Sequence, residues 1–428
     1  GNGWFWGDHC YNVKSNYTSS AFRSYDVWYA NYKWIANVNY IIDAEPEMAG
    51  TEADVAYVAG QAYAIRALCY LNLATWFSRA PYNSLTGASR WNEPCVPVYT
   101  TGTSIDTGGQ PRESLRTVYG RIDQDIDRAI ELLEKARETT LAENNKSHIN
   151  LYVALGIKSR ACLAEGDWDG AFKAAKRVID EGGYAVGTKS DLTSGMNSLD
   201  KQNVMWGAGI QVADQAGGYA GFFTHMDNKE GAYAKSAPKL ISKQLYNRIS
   251  ATDIRRDWWD PSDKESPYVS KKFSFANVAS FLGDYIYMRV EEMYFTAAEA
   301  ALRLDDLKSA RELMNTVMAE RDPGYSANNR SGTLLGATTT TWTGSFLENI
   351  LTHRRIELWG EYGRLFDVRR LGQGIDRRTD DGFSEECISM MNRRNVNITK
   401  ADTYDWVLTI PKAELDANPN INEEDQNP

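Results

Sequence analysis

Residues 161–178, ACLAEGDWDGAFKAAKRV, and residues 300–317, AALRLDDLKSARELMNTV, decide the fold. They align without a gap at an offset of 139 residues, pairing Ala161 with Ala300, Gly166 with Asp305, Trp168 with Leu307, Ala171 with Ala310, Ala175 with Met314 and Val178 with Val317. Each copy reads as the end of one helix, a short turn and the start of a second. Small residues stand where helices cross closely, and bulky ones fill the gaps between crossings. This is the spacing of tetratricopeptide helix pairs, and two copies predict a helical-repeat scaffold.

Outward from these pairs the helical period dominates. Tyr25 to Ile42 places Trp28, Tyr32, Ile35, Asn39 and Ile42 on one stripe. Glu52 to Phe77 is apolar on several sides, through Val55, Val58, Ala62, Ile65, Leu68, Leu73 and Trp76, which predicts a helix buried on more than one face. Pro81 stops it, because proline disfavours helix in the residue before it. Further helices are predicted at Ser114–Ala136, Ser147–Glu165, Trp168–Glu181, Tyr285–Leu304, Leu307–Arg321 and Phe346–Leu371. Trp28, Trp34, Trp76, Trp168 and Trp359 lie on these patterns and are expected in the core.

The fold class expected is mainly α, with tetratricopeptide-like helix pairs packed on a less regular, loop-rich region. A single domain over residues 1–428 is expected, its scaffold at 25–80, 114–182 and 285–371. Residues 81–112, 183–284 and 322–345 make up the loop-rich part. Long excursions of this kind in compact proteins usually carry function. Val204-Met205-Trp206 and Val407-Leu408-Thr409-Ile410 read as short strand-like runs.

Composition limits the function. The chain has 428 residues, 43% hydrophobic and 24% charged, the balance of a globular protein. No apolar run reaches the length of a membrane span. A net charge of −10 and a pI near 5.2 argue against nucleic acid and against an anionic membrane surface as partners, because both require clustered Lys and Arg. Five scattered cysteines and four histidines give no zinc pattern, and no metal or cofactor is implied. Cys69 and Cys162 sit in helical apolar patterns as small buried thiols. The opening Gly1-Asn2-Gly3-Trp4-Phe5-Trp6 has no signal-like run, so any signal peptide is expected to precede residue 1, and Cys10 is not expected to carry a lipid.

Three longer stretches, with a fourth that fits them, carry a resemblance to a known family. The first is Gly60 to Phe77, GQAYAIRALCYLNLATWF, followed by Ala80-Pro81. The second is Arg354 to Arg370, RRIELWGEYGRLFDVRR, and the third is Ile410 to Asn420, IPKAELDANPN. Met288-Arg289-Val290-Glu291-Glu292-Met293-Tyr294, with Ala298-Glu299-Ala300, fits between them. Together they resemble, in order, the signature blocks of the SusD/RagB nutrient-binding lipoproteins of Bacteroidetes, over roughly residues 25 to 420. Tyr362 departs from the pattern by standing between Glu361 and Gly363. The family's lipidated cysteine and first segment have no counterpart, so the chain reads as a trimmed or truncated mature form. The resemblance implies four tetratricopeptide-like pairs packed against the ligand-bearing region. It implies outer-membrane, cell-surface attachment through an N-terminal lipid anchor absent from this chain. It also implies a SusC-like TonB-dependent transporter as partner, oligosaccharide or polysaccharide as cargo, and no enzymatic activity.

Charged motifs have plainer readings. In the Arg354–Arg370 run, Arg354 with Glu357 and Glu361 with Arg364 stand three apart, the spacing for pairing on one helical face. A lattice that fixes helix packing is expected there, and no catalytic residue. Glu291 and Glu292 are adjacent and point in different directions on a helix. Asp257, Asp260, Asp263 and Glu265 read as solvated turn acids.

Twelve per cent of the residues are aromatic, and several rings lie in irregular segments. Sugars present C–H faces that pack on rings, while their hydroxyls need polar partners. The candidate glycan-binding residues are therefore Trp4, Trp6, Trp91, Tyr219, Phe222, Phe223, Trp258 and Trp259. Asn92, Gln215, Asn228, Arg255 and Asp257 are the polar partners nearby. The alternatives are a peptide-binding RagB-like uptake protein, a helical glycoside hydrolase, and a repeat scaffold that binds only protein.

Overall fold

The computed structural model describes residues 22–141, 145–212, 221–376, 379, 404 and 407–428, with side chains from residue 27 onward. These residues fall into two compact units. Residues 22–170, 365–375 and 407–428 belong to one, here the N-terminal unit, and residues 171–364 to the other, the central unit.

The N-terminal unit is built on helices α1 (Phe22–Ala44), α2 (Glu52–Phe77), α3 (Leu115–Lys135) and α4 (Leu151–Glu165). α2 packs against both α1 and α3, and α3 against α4. As its two-sided apolar pattern predicts, α2 buries residues all round its circumference, from Ala56 and Tyr57 to Leu73 and Phe77. Side-chain caps satisfy the first free amides. Thr51 Oγ accepts from Asp54 N, Ser114 Oγ from Thr117 N, and Asn150 Oδ1 from Tyr152 N and Val153 N.

The long-range tie in this unit is Arg66, which is 2% exposed. Its Nε and Nη2 donate to Asp125 on α3 at 2.8 and 2.7 Å, while Nη1 donates to Asn39 Oδ1 on α1 at 2.7 Å and to the Thr100 carbonyl at 2.9 Å. One guanidinium thus fixes three helices and a loop.

The central unit holds α5 (Trp168–Glu181), α6 (Val290–Arg303), α7 (Leu307–Ala319) and α8 (Phe346–Glu357), while α9 (Arg364–Leu371), next in the chain, belongs to the N-terminal unit. α6 packs against α7 and α8. The repeat pairing holds at residue level: Ala161, Ala171, Ala175, Val178, Ala300, Ala310, Met314 and Val317 are all 0% exposed. The aligned turn residues share a conformation too, Gly166 at φ 78° and Asp305 at φ 62°. That left-handed backbone ends one helix and lets the next start two residues on.

Two helices end differently from expectation. Tyr285–Arg289 is not the start of a helix but strand β4, paired antiparallel with β1 (Val204–Ala208), and α6 begins only at Val290. The Phe346–Leu371 helix is broken after Glu357, because Gly360 (φ 76°) and Gly363 (φ 112°) adopt left-handed backbone that a helix does not tolerate. A second small ribbon pairs β2 (Trp259–Asp260) with β3 (Val269–Ser270). Val407–Ile410 forms no strand; Leu408 N donates to the Trp76 carbonyl at the end of α2 instead. Trp34, expected in the core, is 53% exposed, since six residues on from Trp28 lies off the buried stripe of α1.

Candidate functional site

In the N-terminal unit, the α1 stripe leaves a ring-lined cleft. Trp28 and Ile35 turn into the unit, while Tyr29 (52% exposed) and Lys33 stand beside them toward solvent. The loop after Val96 crosses this face and is held at every second residue or closer. Tyr32 Oη donates to the Pro97 carbonyl at 2.7 Å, and Asn39 Nδ2 to the Tyr99 and Thr101 carbonyls at 3.2 and 3.0 Å. Tyr70 Oη donates to the Tyr99 carbonyl at 2.8 Å and accepts from Tyr99 N at 2.7 Å. Tyr40 Oη reaches the Thr103 carbonyl. The C-terminal motif closes the third side, where Trp28 Nε1 donates to Glu414 Oε2 at 3.3 Å and Asn418 Nδ2 to the Gln110 carbonyl at 2.9 Å.

The cavity so formed measures about 500 Å³ and is walled by Trp28, Tyr29, Tyr32 and Tyr99, with Lys33 and Glu414 among its polar groups. Trp28 and Tyr32 lie 4.9 Å apart with planes tilted 48°, and Tyr32 meets Tyr99 edge-on at 5.9 Å. Burial, with the neighbouring Tyr70 and Glu414, raises the Tyr32 hydroxyl well above its ordinary value, so it remains a neutral donor. Mostly apolar walls with a few placed polar groups are what a small-ligand cleft requires.

The residues named from sequence are placed as follows. Trp4, Trp6 and Tyr219, like Gln215, lie outside the described residues. Trp91 is half-buried, meets Tyr119 edge-on at 5.7 Å and has the Arg116 guanidinium 5.8 Å from its ring, while its carbonyl accepts from Arg116 N. It anchors the loop to the start of α3. Phe222 and Phe223 are brought together with Phe273 and Tyr285 in one aromatic cluster, Phe223 at 2% exposure and Phe222 half-buried.

Trp258 and Trp259 correct the expectation of a stacking platform. Both are 2% exposed, inside a cluster with Leu192, Ile241, Leu245 and Ile356. Trp258 ends a short 3-10 helix (Ile254–Trp258) and Trp259 opens β2; Trp258 Nε1 donates to the Leu192 carbonyl at 2.8 Å, and the Lys272 ammonium sits 4.5 Å from the Trp258 ring. Of the polar partners, Asn228 is taken up by Ser270 O and Lys239 N, and Arg255 by Asp253, Glu357 and His353. Asp257 is exposed and lies 3.7 Å from Lys189.

The cleft residues that sequence reasoning missed are Tyr29, Tyr32, Tyr99 and Glu414, whereas Trp28, expected in the core, is buried there at 6% exposure and backs the cavity from within. One signal was available: Tyr29, Lys33, Ala36 and Tyr40 recur at helical spacing beside the apolar stripe.

The central unit's charges form a buried lattice, as the Arg354–Arg370 run suggested, but its bonds run between elements. Glu357 pairs with Arg255, Arg289 and Arg321 at 3.2, 3.0 and 2.9 Å. Glu361 pairs with Lys272 and Arg289, Glu291 with Arg289 and Arg321, and Arg354 approaches Glu292 at 3.6 Å. Burial alone would raise the Glu357 carboxyl, but the three arginines hold it well below the ordinary range. Burial pulls the Lys272 ammonium down to about 8 despite Glu361.

His353 adds a pH dependence. Burial, reinforced by Arg255, whose Nη2 lies 2.8 Å from Nδ1, lowers its pKa well below the usual value. The folded state therefore binds fewer protons than the unfolded chain once pH falls below the unfolded value of ~6.5, and stability drops from there downward. The slope approaches ~1.4 kcal/mol per pH unit. Urea midpoints between pH 7.5 and 5.5 should fall in the parent more steeply than in His353→Gln; parallel curves would exclude this role.

A profile described as the SusD family matches residues 228–428, and a second, described as starch-binding and associating with the outer membrane, matches residues 4–163. The chain belongs to the SusD/RagB family. Its fold is the SusD-like one, tetratricopeptide-like helix pairs with few strands. A SusD-like carbohydrate binding protein from Bacteroides vulgatus ATCC 8482 is 26% identical with a TM-score of 0.73, over 93% of this chain and 83% of that one. A SusD superfamily protein from Bacteroides thetaiotaomicron VPI-5482 is 22% identical, TM-score 0.75, over 99% and 94% of the two chains. Surface glycan-binding protein A from Bacteroides uniformis is 18% identical, TM-score 0.67, over 97% and 88%. No curated protein matches the chain. Among the described residues, no helix is long and apolar enough to cross a membrane.

Proposed function

We propose that this SusD/RagB protein captures oligosaccharide at the bacterial cell surface, held there by an N-terminal lipid, and hands it to a SusC-like TonB-dependent transporter without breaking a bond. The observation that carries the reading is the cleft of Trp28, Tyr29, Tyr32 and Tyr99, whose rings stand beside an ammonium and a carboxylate. Ring faces take up the C–H surface of a sugar, and the polar rim takes its hydroxyls. The 26% identical relative is itself a carbohydrate binding protein, which supports the same cargo class. Hydrolysis of a glycosidic bond generally uses two carboxylates. Among the described residues lining the cleft, Glu414 is the single one, and it is bonded to Trp28.

A shallow cleft binds modestly, because desolvating hydroxyls offsets much of the contact energy. That suits a protein which must release its cargo. Affinity electrophoresis through gels containing different polysaccharides tests the reading. One glycan should retard the parent, and Tyr29→Ala and Tyr99→Ala should each weaken that retardation about tenfold, ~1.4 kcal/mol. Mobility unchanged by any glycan, with binding to peptides instead, would replace sugar by peptide as the cargo.

A further inference from the structure

The cleft's polar groups divide unevenly between those that give protons and those that take them. Its carboxylate is engaged at both oxygens, Glu414 Oε2 accepting from Trp28 Nε1 at 3.3 Å and Oε1 from Asn418 Nδ2 at 2.8 Å. The loop carbonyls are taken as well, Tyr99 O by Asn39 and Tyr70, and Thr103 O by Tyr40. Three hydroxyls of the lining residues stand the other way round. Tyr99 Oη accepts from Gln110 N at 3.0 Å, Ser104 Oγ from Asp106 N at 3.2 Å and Thr107 Oγ1 from Ser104 N at 2.8 Å. A backbone amide can only donate, so each hydroxyl keeps its own proton to give. Among the described residues no protein acceptor takes any of the three.

Lys33 adds to that bias. It lines the same cleft from the exposed side of α1. Among the described residues its ammonium enters no ion pair or hydrogen bond, and it stands 5.8 Å from the centre of the Tyr29 ring. The cleft thus offers an ammonium and hydroxyl protons, while its acceptors are already in use. A neutral sugar hydroxyl both accepts and donates, and finds few free oxygens here for its own proton; a carboxylate or a sulfate ester only accepts. Hydrogen bonds from an ammonium to such a group are about twice as strong as neutral ones. The chain as a whole carries −10, so an acidic glycan gains no general attraction, and any preference for one must come from this rim.

We propose that the cargo of this cleft is an acidic glycan, one whose units bear a carboxylate or a sulfate ester, and that Lys33 is the residue that selects it. The inference rests on the carbohydrate-binding reading of the same cleft and narrows it to charged saccharides. The rings hold the sugar faces, and the ammonium takes the anionic substituent at the rim.

Isothermal titration with polygalacturonate, alginate and carrageenan, each beside its carboxyl-reduced or desulfated neutral twin, and with starch and mannan, tests this. At least one acidic polymer should bind the parent, and its neutral twin should bind about fivefold more weakly, the upper range for an exposed ion pair. Loss on carboxyl reduction names a carboxylate as the recognised group, and loss on desulfation a sulfate ester. Lys33→Met should remove the preference and Lys33→Arg should keep it, while Tyr29→Ala weakens the acidic polymer and its twin alike. An acidic polymer whose twin binds equally well overturns the acidic assignment and leaves the carbohydrate reading standing. Binding of starch or mannan that Lys33→Met does not change, with no acidic polymer bound, does the same. No binding of any saccharide overturns both readings.

Discussion

Replacing Glu357 by alanine should cost the central unit about 3–5 kcal/mol, the range for breaking a buried ion pair from one side. Glu357 is 0% exposed, and its two oxygens accept from Arg289 at 3.0 Å, Arg321 at 2.9 and 3.0 Å and Arg255 at 3.2 Å. Around it Arg255, Arg289, Arg321 and Lys272 face Glu291, Glu357, Glu361 and Asp253, four cations against four carboxylates. Deleting the central carboxylate leaves three guanidinium groups turned on one another where water cannot screen them. Against a total stability of about 5–15 kcal/mol, such a loss approaches unfolding. Glu357→Gln keeps the shape and some hydrogen bonds, so it should fall between alanine and the parent. Urea titration reads both; an alanine variant within about 1 kcal/mol of the parent would mean that the lattice is dispensable.

That lattice shows how much the sequence disclosed. The alternation of Arg and Glu with Leu358, Trp359 and Leu365 marked a helical charge network, and spacing suggested Arg354–Glu357 and Glu361–Arg364 pairs. Spacing sees only the helix itself, whereas the partners of Glu357 come from residues 255, 289 and 321, which local periodicity cannot bring together. The helix pairs were legible for the converse reason. Ala171, Ala175, Ala310 and Val317 face their neighbours at a fixed period, which survives in a single sequence. Trp258 and Trp259 were misread because a Trp-Trp pair in an acidic, turn-rich segment looks the same whether the fold buries it or leaves it out. The ring cleft was hidden because Tyr99 and Glu414 reach α1 from distant parts of the chain.

Arg66→Ala should affect both stability and cargo binding, which separates a frame residue from a contact residue. The side chain is 2% exposed and forms a two-pronged bond with Asp125, itself 0% exposed. Arg121 Nε, 3.4 Å from Asp125 Oδ1, offers partial compensation, so the expected loss lies near the lower end of the buried-pair range, about 3 kcal/mol. The consequence for function runs through the other prong. Arg66 Nη1 bonds Asn39 and the Thr100 carbonyl, and Asn39 in turn holds the Tyr99 and Thr101 carbonyls. Without the guanidinium, the loop bearing Tyr99 loses a buried anchor on the cleft wall. Amide hydrogen exchange at residues 98–103 should accelerate, and glycan retardation should weaken although Arg66 does not line the cleft. Arg66→Lys restores charge but not the planar fork, so it should recover part of the stability and little of the loop protection. Tyr29→Ala gives the opposite pattern, weak binding with a normal loop. If Arg66→Ala left exchange at 98–103 unchanged while still weakening glycan binding, the loop would not be the link between frame and cleft.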